Sequence, residues 1–259
     1  MPENGIFSLD GQAAVVIGGG GVLAGAMATG LAEAGADIAI LDVSLAGAEA
    51  RAQAIREATG RKAIAIECDA TSKTALESAR DRVLAELGHV DILLNAAGVN
   101  SGTPFFEISE QEWHRILDID LTSIFLACQV FGKTMVDAGR GGSVINISSA
   151  SSGPPLSKVF TYSVAKGGVN QITHFLAREW APYNIRVNAI VPGFFPAEQN
   201  RKILTGERIA QVMAHTPMKR FGEAHELVGA AVYLSSPQAA SFVTGCLLRV
   251  DGGYLSMTI

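Results

Sequence analysis

Apolar residues fall into two alternating rhythms along the chain. Short, nearly unbroken apolar runs appear at Ala13–Ile17, Asp37–Leu41, Ala63–Glu67, Val90–Leu94, Ser143–Ile147, Arg186–Ile190 and Leu247–Val250. Between them lie longer stretches with helical spacing, at Leu23–Glu33, Leu45–Ala58, Lys73–Leu87, Glu110–Asp137, Tyr162–Trp180 and Glu223–Leu234. Continuous apolar runs belong to strands buried on both faces, and strands alternating with helices build βαβ crossovers and a parallel sheet. The pattern therefore predicts an α/β fold: one doubly wound, seven-stranded parallel sheet with helices on both faces.

Local punctuation agrees with these bounds. Asp69–Ser72 and Ser109 stand where helix N-caps are wanted, and Gly60, Gly88 and Gly139 where a helix ends in a left-handed residue. One stretch breaks the alternation: Pro192 to Pro217 starts irregularly, and a long excursion inside a compact domain reads as a lid or binding segment. With 259 residues, 48% of them hydrophobic, the chain can bury one sizeable core, so residues 1–259 are expected to form a single domain with a substrate lid at about 192–217.

Charge and composition narrow the partners. A formal net charge of −5 and the absence of any basic run longer than a pair argue against nucleic acid. Cys68, Cys128 and Cys246 are odd in number and set among apolar neighbours, which reads as buried thiols in a reducing compartment. The five histidines show no ligand spacing, so no metal is expected. Residues Met1 to Asp10 lack a signal-peptide pattern, and a cytoplasmic location is expected. Gly11 to Ala32 is uncharged and long enough to span a bilayer, but Gly18 to Gly21 interrupt any helix there, and no membrane partner is expected.

Those same glycines carry the first chemical signal. A strand ending at Ile17, a turn at Gly18, Gly20 and Gly21, and a helix opening through Val22 and Leu23 would aim backbone N–H groups at a pyrophosphate. Asp42 closes the second strand 24 residues after Gly18, where a carboxylate can accept from the ribose hydroxyls and repel a 2′-phosphate. NAD is accordingly favoured over NADP. Asp69 and Ala70 after the third strand, and Asn95, Ala96, Ala97 and Gly98 after the fourth, extend the ligand-binding edge.

Further along, Ser149 follows the fifth strand, and Tyr162 and Lys166 sit four apart on one helical face. A cation that close is expected to pull the phenol below its ordinary value of about 10. Tyr162 could then exchange a proton with a carbonyl or alcohol oxygen while Ser149 holds that oxygen.

With these pieces together the chain resembles the short-chain dehydrogenase/reductase family over essentially its whole length. The resemblance rests on the glycine turn, Asp69, Asn95-Ala96-Ala97-Gly98, Ser149 thirteen residues before Tyr162, Lys166, Pro192-Gly193 and Val250-Asp251-Gly252-Gly253. It implies a Rossmann-type sheet of order 3-2-1-4-5-6-7, a homotetramer or dimer, Tyr162 as acid/base, Lys166 on the nicotinamide ribose, and Ser149 positioning a small-molecule substrate. The chain departs from the family pattern in two features, the glycine turn and one helix position. The family's second and third turn glycines fall on Val22 and Ala24, and its usual helix asparagine, which holds a water in the proton relay, falls on Asp120. Asp120 thereby joins the candidate catalytic residues, and its charge should oppose the effect of Lys166 on Tyr162.

The glycine run, the segment Pro192 to Arg201 and the segment His215 to Gly222 are also similar to a narrower subgroup of D-mannonate oxidoreductases, or fructuronate reductases. That similarity implies a sugar acid or polyol, met by Asn100, Ser151, Phe194, Phe195, Gln199, Asn200 and Arg201, with Arg201 on the carboxylate. A 3-oxoacyl thioester, an apolar ketone lined by Phe194 and Phe195, and a non-catalytic nucleotide sensor stay open beside it.

Overall fold

The computed structural model describes residues 5–154, 156–196 and 205–257. Seven strands form one sheet: β1 Ala13–Ile17, β2 Asp37–Asp42, β3 Ala63–Glu67, β4 Ile92–Asn95, β5 Gly142–Ile147, β6 Ile185–Pro192 and β7 Leu247–Val250. All are parallel, in the order β3-β2-β1-β4-β5-β6-β7. The helices are α1 Val22–Glu33, α2 Leu45–Thr59, α3 Lys73–Leu87, α4 Glu110–Ala138, α5 Phe160–Trp180, α6 Gly206–His215 and α7 Val228–Ser235.

Side-chain alternation along the strands explains the two helical layers. Ala14, Val16, Ile38 and Ile40 point to one face, where they pack with Met27 and Leu31 of α1, Ile55 of α2 and Leu234 of α7. Val15, Ile17, Ala39 and Leu41 point to the other, against Leu76 of α3, Phe131 of α4 and Val169 of α5. Each fully buried Leu or Ile contributes about 2 kcal/mol. Gly11 to Ala32, the stretch that imitates a membrane span, is divided among β1, the glycine turn and α1. Among the described residues only α4 has the length and apolarity to cross a bilayer, and half of its most apolar window is buried within the fold.

The elements match the sequence expectation to within a few residues, and the differences have causes. β4 starts at Ile92, and Asp91 just before it is a buried acceptor, its side chain taking the Ala13 N–H at 2.9 Å and pairing with Arg140 at 3.1 Å. The helix expected from Glu223 opens as a 3₁₀ turn, Ala224–Leu227, under a capping box between Glu223 and Glu226 before α7 begins. Helix α6 lies inside the segment read as irregular; its cap is Thr205, and Val212 is its buried residue. Ser72 and Ser109 do cap α3 and α4. Cys68 and Cys128 are buried thiols, pushed up to about 11 and about 12 by desolvation, whereas Cys246 is only half-buried.

Candidate active site

The strand order reverses between β1 and β4, and there a cleft of about 680 Å³ opens at the carboxyl edge of the sheet. Its floor is backbone. Gly18 adopts φ +76°, and a Cβ on it would stand 2.9 Å from the Cα of Ala97, so glycine lets the two strand ends converge. Gly21 caps α1 without any side-chain hydrogen bond, leaving the first N–H groups of that helix to face the cleft. An uncapped helix N-terminus over a glycine cradle fits a pyrophosphate, and the chain supplies both here.

Gly20, Gly21, Val22, Leu23, Asp42, Asp69, Ala70, Ala96, Ala97, Gly98, Pro192 and Gly193 all line this cleft. Val22 opens α1 with its side chain 56% exposed, so a residue bulkier than glycine is accommodated there by pointing outward. Asp42 is already engaged: its Oδ2 accepts from the Gly20 N–H at 3.0 Å and its Oδ1 from the Ser44 N–H at 2.9 Å. Each oxygen keeps a second lone pair for a ribose hydroxyl.

Asn95 departs from its assigned place. It is 1% exposed, and its Nδ2 donates to Asn146 Oδ1 at 2.9 Å, so it faces the core and not the cleft. A polar ladder continues from Asn146 Nδ2 to Thr173 Oγ1 at 3.0 Å, tying β4 and β5 to α5.

The candidate catalytic residues converge where this cleft meets a smaller pocket. Both cavities are lined by Ser149, Tyr162, Gly193 and Phe195. Lys166, 3% exposed, donates from Nζ to Ile147 O at 3.0 Å and lies 3.3 Å from Asp120 Oδ2 and 5.4 Å from the Tyr162 ring centroid. Asp120 is fully buried, and its Oδ1 accepts from the Val99 N–H at 2.8 Å. It belongs to a π turn, Asp118–Thr122, an irregularity often met at functional positions. The carboxylate thus ties Lys166 to the loop after β4.

The expected depression of the Tyr162 phenol is reversed. Burial raises it above its ordinary value, outweighing the lowering by Lys166; Asp120 raises it further, and the Ser149 hydrogen bond lowers it. The spacing of cation and phenol was legible in the sequence, but the depth of the site was not. Asp120 is itself raised, again by burial first, against the opposing pull of Lys166 and the Val99 N–H.

On the substrate side, Asn100, Ser151, Phe194 and Phe195 line the smaller pocket. Ser151 is 2% exposed and bonds Ser149, its backbone N–H and its Oγ each lying 3.1 Å from Ser149 Oγ. Phe195 is largely committed to the core, while Phe194 meets Tyr254 edge-on at 5.0 Å. Gln199, Asn200 and Arg201 lie outside the described residues.

Two residues that the sequence did not single out belong here. Arg208 of α6 lines the pocket. Asn170 accepts from Ser148 Oγ at 2.6 Å and donates to Ser152 Oγ at 2.9 Å, and Ser152 in turn holds the carbonyl of Ser149 at 2.7 Å. Asn170 follows Lys166 by one helical turn, a spacing that could have drawn notice.

A family model described as enoyl-(acyl carrier protein) reductase matches residues 21–255. The 5-keto-D-gluconate 5-reductase of Escherichia coli (strain K12) is 36% identical over 253 residues, covering 97% of this chain and 98% of that protein. Among solved structures, a gluconate 5-dehydrogenase from Burkholderia cenocepacia J2315, in complex with NADP and tartrate, superposes with a TM-score of 0.93 at 33% identity, over 98% of this chain and 99% of that one. A candidate D-mannonate oxidoreductase from Haemophilus influenza with bound NAD gives 0.91 at 31% identity, over 97% of each chain. With this sheet order, a cleft fitted to a dinucleotide and relatives matched from end to end, the chain belongs to the short-chain dehydrogenase/reductase family, NAD(P)-dependent oxidoreductases acting on CH–OH groups.

Proposed function

We propose that the protein is an NAD-dependent oxidoreductase interconverting a secondary alcohol and a ketone on a sugar acid or polyol. The observation that carries this reading is the junction itself: Ser149 and Tyr162 stand on the shared wall between a dinucleotide-sized cleft and a smaller, partly polar pocket. When bound, the nicotinamide supplies or accepts the hydride. Tyr162 gives a proton to the carbonyl oxygen in reduction and takes it back in oxidation, while Ser149, held by Ser151, fixes that oxygen. Lys166 offers its ammonium to the cofactor ribose and the phenol, and Asp120 with Ile147 O keeps it in place.

The preference for NAD rests on Asp42, whose charge opposes a 2′-phosphate. The sugar-acid class is supported by the names of the relatives, among which a gluconate or a mannonate skeleton is represented. The whole chain acts as one domain in this reading, and the described part of residues 192–217 helps wall the pocket through Gly193, Phe194, Phe195 and Arg208. Its setting is cytoplasmic, in keeping with three unpaired thiols. A homotetramer or dimer is supported by Phe125 of α4 and Phe175 of α5, large apolar side chains left 48% and 60% exposed.

The test is NADH oxidation, with NADPH as control, against 5-ketogluconate, fructuronate, tagaturonate, neutral ketoses and acetoacetyl thioester. Turnover of a keto acid with NADH is expected. Turnover of the thioester alone would discard the substrate class and keep the chemistry.

A further inference from the structure

The pocket that opens off the cofactor cleft sets apolar Leu156, Val159 and Phe194 beside polar Asn100 and Ser151, and Arg208 takes part in its lining. Arg208 sits in the first turn of α6 and is only partly exposed. Its Nη1 donates to Ser157 Oγ at 3.1 Å and its Nη2 to Ser157 O at 2.8 Å, and among the described residues it pairs with no carboxylate. Those two bonds use two of five N–H donors in a rigid fork, and the others match the spacing of a planar anion. A planar anion in the pocket would take those remaining donors and supply the counter-charge that no carboxylate among the described residues gives.

The tether matters as much as the charge. Ser157 lies in the loop that leaves Ser149 and leads into α5, so Arg208 is fixed to the same stretch of backbone that carries Ser149 and Tyr162. A ligand anchored on the guanidinium is therefore held at a set distance from the proton-exchanging phenol.

We propose that Arg208 is the carboxylate-binding residue of this pocket, and that it selects linear substrates carrying an acid at the end remote from the reacting carbon. This inference rests on the sugar-acid reading above. It assigns to Arg208 the role that the sequence suggested for Arg201, which lies outside the described residues.

The experiment is the ratio of kcat/KM for 5-ketogluconate to that for fructose, with NADH, in the wild type, Arg208→Gln, Arg208→Lys and Ser157→Ala. Loss of a charged hydrogen-bonding partner should lower the acid-to-ketose ratio about 30-fold in Arg208→Gln, mainly through KM for the acid. Arg208→Lys keeps the charge without the fork and should restore part of it, and Ser157→Ala, which loosens the tether, should lower it about threefold. A wild type that prefers the acid and an Arg208→Gln variant with the same ratio would overturn the assignment and leave the sugar-acid reading standing. Equal loss on both substrates would overturn it too, since that marks a structural role. A wild type that reduces fructose but no keto acid removes the sugar-acid reading and this inference together.

Discussion

The two cavities that meet at Tyr162 are built from different materials. The dinucleotide cleft rests chiefly on backbone and small residues at the ends of β1, β2, β3 and β4, within the first hundred residues, and is completed by later ones such as Ile119, Ser149, Tyr162, Lys166 and Gly193. The smaller pocket is made of side chains: Asn100 after β4, Ser151 after β5, Phe194 after β6 and Arg208 on α6. A backbone surface is dictated by strand order and glycine placement, and it changes little when side chains are exchanged. A side-chain surface on loops can be rewritten without disturbing the sheet, which is how one fold comes to serve many substrates.

The sharpest way to break this division is at the shared wall. Tyr162→Phe removes the proton-exchanging hydroxyl and leaves the ring, so kcat should fall about 10³-fold while NADH affinity stays within a factor of about two. Stopped-flow binding of NADH monitored by fluorescence, beside steady-state turnover, separates the two. An equal loss of cofactor affinity would show that the cavities are not independent.

A smaller effect tests the cleft alone. Asp42→Asn keeps one accepting oxygen for the Gly20 or the Ser44 N–H, gives up the other because an amide nitrogen only donates, and removes the charge. Relief of like-charge repulsion should then shift the NAD:NADP preference about 100-fold toward NADP. Unchanged preference, measured as the ratio of kcat/KM values, would mean that Asp42 holds only the glycine turn. Relatives of this fold are seen with NADP, from Burkholderia cenocepacia, and with NAD, from Haemophilus influenza, so the preference is expected to turn on this side chain and its immediate surroundings.

The same contrast explains what could be read in advance. Strand runs and glycine turns are periodic or conformationally restricted, so β1, β3 and β7 and the left-handed residues Gly60, Gly88 and Gly139 were legible from local pattern alone. Asn95 was misplaced because β4 is buried on both faces, and spacing does not tell which way its last side chain turns. Helix α6 was missed although Ile209, Val212 and Met213 follow helical spacing, because ten residues give that stripe only one repeat inside a segment that starts irregularly. Arg208 then stayed hidden with it, since its meaning comes from Ser157 and Tyr162, about fifty residues away in sequence. The direction of the Tyr162 shift depended on burial, a property of the assembled site.

The finest test concerns the charge behind the wall. Asp120 raises the Tyr162 phenol, and Lys166 lowers it, so the two partners of one buried pair pull the same group in opposite directions. Alcohol oxidation needs the phenolate, and its rate rises with pH through the phenol's titration. Replacing Asp120 with Asn preserves an acceptor for the Val99 N–H but deletes the negative charge, leaving Lys166 unopposed. The phenol should therefore ionise more readily, and the rising limb of the oxidation profile should move to lower pH. In the reductive direction, where the protonated phenol is the donor, the falling limb should move the same way. Superimposed profiles would mean that Asp120 carries no charge in the working range. Burial, the largest influence on that carboxyl, would then have overcome both Lys166 and the Val99 N–H.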